Sequence, residues 1–395
     1  MSGMGDLLFL AHRVPFPPDR GDKIRSYNIL RHLAARHRIH LATFADDEAD
    51  MAAAEALRPM VAKLHVELRT RSKGVSAALG LAKRSAMSVA AFGSRGMSGF
   101  VDRVLADEPI DHVYVFSGQM AQYAPADRPF VMDFVDMDSR KFADYAHRAN
   151  GPMRWVWQRE AKRLFHFERE TARRAVVSLF VSEAEASLFR DRTKLSADCV
   201  QVLENGIDLD SYAPLPHVRE AIPLIVFTGQ MDYPPNVEAA AGFAHDALPL
   251  IRARHSQARF AIVGRKPAPS LTALDGRDGV IVTGEVPDVR PWLTRADVVV
   301  APLGIARGVQ NKILEAMAMA RPVVASPQAH EGIDAEPGRD LIIADGPAAQ
   351  AAGVSDLLDD PVRSEAMGKA ARARVEARYA WDARLAPLDA MLVRV

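Results

Sequence analysis

Short β-rich runs, many of them continuous apolar stretches, recur along the whole chain, with segments of helical spacing between them. The runs lie at 7–11, 39–44, 112–116, 130–134, 179–181 and 200–203, then at 224–228, 259–263, 280–283, 298–301, 323–325 and 341–344. A strand buried on both faces reads this way, because helices cover either side of a parallel sheet. Helical patterns fall between the runs, as at 23–35, 237–253, 312–320 and 361–378. Strand, helix and strand in repeated succession predict an α/β fold with doubly wound parallel sheets. The pattern restarts near residue 222, after the polar, proline-bearing stretch 208–217, which reads as a linker. With 395 residues the chain is long enough for two domains. The expected organisation is a first domain over 1–208, a second over 209–379, and a separate helix over 380–395.

Composition removes several function classes. Fifty Lys and Arg balance fifty Asp and Glu, so the basic excess of a nucleic-acid-binding protein is missing. The lone cysteine, Cys199, excludes a disulfide framework within the chain and a cysteine-rich metal site. No apolar stretch is long enough to span a bilayer, and the first apolar run lacks the basic flank of a signal peptide. The expectation is a cytoplasmic protein. A nicotinamide dehydrogenase is disfavoured, because Gly-x-Gly-x-x-Gly does not follow the first strand.

In open α/β sheets ligands bind beyond the carboxyl ends of the strands. One such loop opens Gly308-Val-Gln-Asn-Lys-Ile-Leu-Glu-Ala-Met-Ala-Met-Ala-Arg-Pro-Val-Val-Ala325, a loop–helix–strand pattern. The free amides of Gly308, Val309, Gln310 and Asn311 at the helix start suit an anion. Lys312 places a cation where the helix dipole disfavours one, which points to a bound phosphate. Glu315 stands one turn later, and a carboxylate accepts two hydrogen bonds from a vicinal diol such as ribose. An ordinary amphipathic helix with an i,i+3 ion pair is the alternative reading. A second stretch, Val202-Leu-Glu-Asn-Gly-Ile-Asp208, ends a strand in Asn205-Gly206, a pair that favours positive φ.

These two stretches resemble the family-4 retaining glycosyltransferases of the two-Rossmann (GT-B) architecture. The resemblance runs along the whole chain in order. It implies two Rossmann-like domains facing across a cleft, with the final helix crossing back to the first. Gly229-Gln-Met-Asp-Tyr-Pro-Pro-Asn236, Arg307-Gly-Val-Gln-Asn-Lys312 and Asp133-Phe-Val-Asp-Met-Asp-Ser139 are similar to a bacterial subgroup associated with exopolysaccharide synthesis in exosortase systems.

The resemblance implies transfer of a sugar, with retention of configuration and without a metal, from a nucleoside-diphosphate donor. The acceptor is a hydroxyl on a lipid-linked or growing glycan, and no cofactor is implied. Lys312 is then the diphosphate cation and Glu315 the ribose ligand. Where the family carries a second glutamate this chain has Arg307, which leaves the donor class open. Arg and Lys are missing from the loop at Gly229, and Arg265 and Lys266 are the candidate replacements, with a solvated turn as the alternative. Gly332 is expected near the diphosphate. Gly21, Asp22, Lys23 and Asn205 are expected on the acceptor side, with Arg25 as a structural helix residue. Asp136 and Ser139 are expected to meet sugar hydroxyls, helix capping by Asp138 or Ser139 being the alternative.

Two rivals share the architecture, a nucleotide-sugar 2-epimerase and a non-catalytic nucleotide-sugar-binding subunit. Finally, residues 69–95 hold Arg69, Arg71, Lys73, Lys83, Arg84 and Arg95 with no acid among them. Such a patch suits the anionic inner face of a membrane or a solvated helix pair. The segment 154–174 is also basic, but Glu160, Glu168 and Glu170 are available there for pairing within the helix.

Overall fold

The computed structural model describes residues 5–18, 21–69, 85–215, 222–306 and 309–393. They divide into two compact units, one of Met1–Asn205 with Arg384–Val395, the other of Gly206–Ala383. Arg307, Gly308 and most of the basic stretch 69–95 lie outside the described residues.

The first unit is built on β1 (Asp6–Ala11), β2 (Arg38–Ala45), β3 (Lys63–Leu68), β4 (Ile110–Phe116), β5 (Val131–Val135), β6 (Val177–Phe180) and β7 (Val200–Val202). They form one sheet in the order β3-β2-β1-β4-β5-β6-β7, parallel throughout. The direction of winding reverses between β1 and β4. Every residue of β1 is buried, as expected of a central strand covered on both faces. The strand β3 has no counterpart among the continuous apolar runs. It sits at the sheet edge, paired only with β2, and alternates Lys63, His65 and Glu67 with Leu64, Val66 and Leu68. An edge strand needs one apolar face only, so its signal has period two.

The second unit is built on β8 (Leu224–Thr228), β9 (Arg259–Val263), β10 (Val280–Gly284), β11 (Val298–Ala301), β12 (Val323–Ala325) and β13 (Ile342–Ile343). The order β10-β9-β8-β11-β12-β13 repeats the same parallel winding, with its reversal between β8 and β11. The helix after β8 runs Pro234–Gly242, widens to a π turn over Phe243–Ala247, and continues as Leu248–Arg254. Within the turn the Leu248 amide reaches back five residues to the Phe243 carbonyl. Pro249 follows at once; it has no amide to keep an α-helical ladder there.

The last helix, Trp381–Leu392, starts in the second unit and ends in the first. Within the first unit Asp389 accepts from His32 Nε2 at 2.9 Å and lies 3.2 Å from Arg36 Nε, fixing the chain end to the helix Gly21–Ala34. Within the second unit Ile207 N donates to Tyr379 O at 2.7 Å. Gly206 is not in the positive-φ region that the Asn-Gly pair suggests. A Cβ there would stand 2.6 Å from the Trp381 Cα, so the glycine is needed for close approach of two backbones.

Candidate functional site

In the second unit the loops after β8, β9, β10 and β11 surround a cavity of about 620 Å³. It lies at the carboxyl ends of the strands beside the reversal of winding, where such sheets bind ligands. Two glycines make the room. Gly264 has φ +155°, and a Cβ on it would fall 1.6 Å from the Gly229 carbonyl oxygen. A Cβ on Gly229 would fall 2.9 Å from Asn236 Nδ2 and 3.4 Å from Lys312 Nζ.

Lys312 stands in the first turn of the helix Asn311–Ala318, whose N-cap residue, Gln310, makes no side-chain capping bond. Val309, Gln310 and Asn311, at the start of this helix, also line the cavity. Lys312 Nζ donates to Asn236 Oδ1 at 2.6 Å and lies 4.5 Å from the centre of the Phe227 ring on β8. Asn236 is itself held by a 2.9 Å bond from Nδ2 to the Gln230 carbonyl. Burial pulls the Lys312 ammonium down to about 8. Burial pushes the Glu315 carboxyl up to about 7, against the opposing pull of the Tyr212 hydroxyl and Lys312. Tyr212 is raised in turn, by burial and then by Glu315. Both Lys312 and Glu315 line the cavity.

Arg265 is exposed on the rim, its Nη2 3.0 Å from Gln230 Oε1. Lys266 and Gly332 are not among the lining residues; both are exposed, in left-handed conformations at φ +53° and +83°. Val286, Val289 and Tyr233 give the cavity an apolar side. Tyr212, Phe227 and Asn236 were not read from sequence as partners of Lys312 and Glu315. The only signal was the presence of Asn236 at the end of the quoted Gly229–Asn236 motif.

A second cavity, of about 590 Å³, opens at the opposite ends of β11 and β12. Its buried polar groups are spent on the fold: Asp297 accepts from Leu224 N at 2.8 Å, and Arg321 Nε donates to Met319 O at 3.1 Å.

In the first unit, charged groups near the carboxyl ends of the strands are already joined to one another. Arg13 bonds Asp22 at 2.6 Å and Asp46 at 2.9 Å. Asp22 lies far below the usual carboxylate range, held there by His12 and Arg13. His12 stacks on Phe116, 5.8 Å between ring centres, and burial lowers its pKa. Lys23 is buried and bonded to Asp50 at 2.6 Å, so its ammonium serves the fold and not an open surface. Arg25 is wholly buried, bonded to Asp133 at 3.0 Å and to Asn205 at 2.8 Å, and Tyr114 donates to the same Asp133 oxygen at 2.8 Å. Asn205 is thereby a member of a buried network. Gly21 begins its helix in the open.

Ser139, expected to meet sugar hydroxyls, is instead buried, and its amide donates to Glu168 at 2.9 Å. Neither it nor Asp138 caps the helix Asp138–Arg148. The N-cap is Met137, without a side-chain bond, and Glu168 satisfies the helix start from another element. Burial pushes Glu168 up to about 8. Asp136 is exposed, yet desolvation of its carboxyl by the surrounding chain, with Glu185 and Asp138 adding repulsion, raises its pKa. Just before it Val135 is held at φ +68°, and Ser117 at the end of β4 has φ +75°. A β-branched residue in that region stores about 1–3 kcal/mol of strain, a cost that clusters at functional sites.

Among the described residues, Asp6, His40 and Glu108 are grouped closely enough to hold a cation. Arg38 lies 2.8 Å from Asp6 and 2.9 Å from Glu108, and Lys63 lies 2.7 Å from Glu108. The carboxylates thus already have cations, at the amino ends of β1 and β2.

Residues 222–360 match the family described as "Glycosyl transferases group 1". That match falls within the second unit. A phosphatidyl-myo-inositol mannosyltransferase of Propionibacterium freudenreichii is 34% identical over 136 residues, covering 32% of this chain and 32% of that protein. The chain therefore matches about a third of that curated relative's length. Among solved structures, Anabaena Alr3699/HepE in complex with UDP has a TM-score of 0.62 at 15% identity, over 99% of this chain and 100% of that one. A sucrose-phosphate synthase from Thermosynechococcus elongatus has a TM-score of 0.58 at 16% identity, over 99% and 98%. The chain thus has the GT-B fold of two doubly wound Rossmann-like units, one of seven strands and one of six.

Proposed function

We propose that the chain transfers a glycosyl group from a nucleoside-diphosphate sugar to a hydroxyl acceptor, with retention of configuration. The observation carrying this reading is the cavity of the glycosyltransferase domain, where a helix start, Lys312 and Glu315 converge. The donor's diphosphate sits against Lys312 and the amides from Val309 to Asn311, and Arg265 reaches it from the rim. Glu315 accepts from the ribose hydroxyls, and the base lies on the side formed by Val286, Val289 and Tyr233. Arg307 and Gly308 belong to the same donor loop by sequence, and Lys266 and Gly332 remain outer candidates. The acceptor-side residues are sought in the first unit, at Gly21, Asp22 and Asp136.

The acceptor oxygen bonds to the anomeric carbon as that carbon's bond to the β-phosphate oxygen breaks. The electron pair leaves with the diphosphate, and the hydroxyl proton passes to a phosphate oxygen. Fixed positive charge at the leaving group is the main catalytic contribution. Lys312, Arg265 and the helix start supply that charge, which is the basis for assigning no step to a metal or cofactor. The acceptor is a lipid-linked or growing glycan of exopolysaccharide synthesis, in line with the subgroup motifs.

A thermal-shift panel tests the donor, because a ligand bound only by the folded state raises its melting temperature. The panel includes UDP-glucose, chosen because Alr3699/HepE was solved with UDP, and a nucleoside-diphosphate mannose. Stabilisation by a nucleotide sugar, with nucleoside diphosphate released on adding acceptor, is expected. Binding without turnover would favour the binding subunit, and a changed sugar still joined to its nucleotide would favour the epimerase.

A further inference from the structure

The cavity at the amino ends of β11 and β12 lies at the opposite ends of the strands from the donor cavity and takes no part in donor binding. Arg321 stands in its wall, shortly before β12, and is 7% exposed. The backbone places it there. Ala320, at φ +54°, turns the chain out of the helix Asn311–Ala318, and Arg321 N closes the turn on Ala316 O at 2.9 Å. The helix Pro361–Arg378 packs so closely against this turn that a Cβ on Gly368 would fall 2.2 Å from the Ala320 carbonyl oxygen. One stripe of that helix, Ser364, Glu365, Lys369, Arg372 and Glu376, lines the cavity.

The cations of this wall are not equally provided for. Lys369 has Glu365 at 2.6 Å and Arg372 has Glu376 at 2.6 Å, each one helical turn away. Arg321 has no such partner. Its Nε is tied to the Met319 carbonyl, but its two amino groups make no hydrogen bond and no ion pair among the described residues. Asp297, the acid that acts on it, is beyond ion-pair reach and holds the Leu224 amide. A buried guanidinium with an open fork of donors fits an oxyanion bidentately. Leu215, Pro322 and Leu357 add apolar wall, and the Ser364 hydroxyl and the carboxylates of Glu365 and Glu376 are acceptors for hydroxyl groups. Arg372 Nη1 donates at 2.7 Å to the Ala318 carbonyl and at 2.7 Å to the Tyr212 carbonyl. The first ends the helix that Lys312 begins, and the second belongs to the residue whose hydroxyl bonds Glu315.

We propose that this cavity binds a phosphomonoester that carries hydroxyl groups, and that filling it weakens donor binding through Arg372 and Tyr212. The phosphate takes the two amino groups of Arg321, with Arg372 and Lys369 beside it, and the hydroxyls meet Ser364, Glu365 and Glu376. A phosphate presents three oxygens, enough for Arg321 and a second cation together, whereas a carboxylate presents two, which Arg321 alone would fill. A charged acceptor draws the Arg372 guanidinium more strongly than the neutral carbonyls of Ala318 and Tyr212 do. Tyr212 then holds the Glu315 carboxylate less firmly, and the ribose ligand is lost to protonation. Two ligands linked in this way change each other's affinity by the same factor. The site stands on residues that the donor reading does not use; only the link rests on that reading.

The test is titration calorimetry of the whole chain with ribose 5-phosphate at about pH 6.5, where the phosphate is mostly doubly ionised. One arm has the donor cavity filled with UDP and the other has it empty. Ribose 5-phosphate is expected to bind in both, inorganic phosphate more weakly, and ribose not at all. Arg321→Met should weaken binding on the order of tenfold to a hundredfold, and Arg321→Lys, which keeps the charge and loses the fork, by less. Lys369→Gln, at an exposed position, should weaken it severalfold and leave the fold untouched. Lys312→Met should lose UDP and keep ribose 5-phosphate, and Arg321→Met the reverse. UDP affinity should fall about fivefold or more when ribose 5-phosphate is present, and Tyr212→Phe should remove that fall. Melting curves on each variant separate a lost site from a lost fold. No binding of ribose 5-phosphate in the presence of UDP, equal binding by wild type, Arg321→Met and Lys369→Gln, or ribose bound as tightly as its phosphate would overturn the site. A UDP affinity indifferent to ribose 5-phosphate would overturn the link. Binding of ribose 5-phosphate that needs Arg321, in a protein that binds no UDP, would overturn the donor reading and leave the site standing.

Discussion

The two units wind their sheets alike, yet they treat charge at the carboxyl ends of their strands in opposite ways. In the first, cations are spent on carboxylates of the same unit: Arg25 on Asp133, Lys23 on Asp50, Arg13 on Asp22 and Asp46. In the second, Lys312 leans on a neutral amide and a ring, and Glu315 on a hydroxyl. The shifts follow: partners drive Asp22 down, whereas burial drives Lys312 down and Glu315 up. A closed ion pair serves the fold. Buried charges left with weak partners are a cost that an incoming diphosphate and ribose can relieve.

The sharpest way to break this comparison is to remove one cation from each unit. Arg25→Met leaves Asp133 buried without its cation, although Tyr114 still donates to it. A loss of about 3–5 kcal/mol of stability is expected, read by denaturant unfolding. Lys312→Met removes a cation that burial already disfavours, so stability should hold or rise. Sugar transfer should fall about 10²–10³-fold, as on removing one charge-stabilising donor. If Lys312→Met unfolded the protein, the contrast between the units would fail.

Glu315 gives a pH test of the same contrast. Its folded pKa of about 7 lies above the ordinary carboxyl value, so the folded state holds the proton more tightly. Its contribution is fully present below the unfolded pKa near 4.5 and is lost as pH rises through 7. Glu315→Gln should flatten the fall in stability across that window, by on the order of 1 kcal/mol, because the carboxyl keeps some access to water. Lys312 runs the other way: its folded pKa is depressed, so its contribution is lost as pH falls towards 8. Melting curves of wild type and Glu315→Gln from pH 5 to pH 7, below the Lys312 window, isolate the carboxyl.

Much of this was legible in the chain because it is written locally. Continuous apolar runs mark strands covered on both faces, and the loop–helix–strand pattern of 308–325 marks the helix whose first turn carries Lys312 to the cavity wall. What escaped depends on residues far apart in sequence. Asn236 stands 76 residues from Lys312, and Asn205 stands 180 from Arg25, so no spacing rule joins them. Whether Glu160 pairs with a neighbouring arginine or caps Met87 and Ser88 is decided by packing that the helix sequence does not contain. The edge strand β3 escaped for a different reason, its polar alternation being that of a surface.

Tyr212 offers the smallest and most discriminating effect. Its hydroxyl bond to Glu315 stabilises the carboxylate, so Tyr212→Phe should move the Glu315 pKa further above 7. A hydrogen bond to a charged group contributes about 1.5–3 kcal/mol at most, and less where water replaces it. The same bond occupies a carboxylate oxygen that the ribose would use. Losing it raises the pH needed to ionise Glu315 but frees that oxygen once it is ionised. Donor affinity in Tyr212→Phe should therefore drop near pH 6 and equal or exceed wild type near pH 8, a crossing that titration calorimetry at both pH values detects. A uniform loss at both would mean that Tyr212 touches the donor itself, and would place the hydroxyl among the ligands instead of beside them.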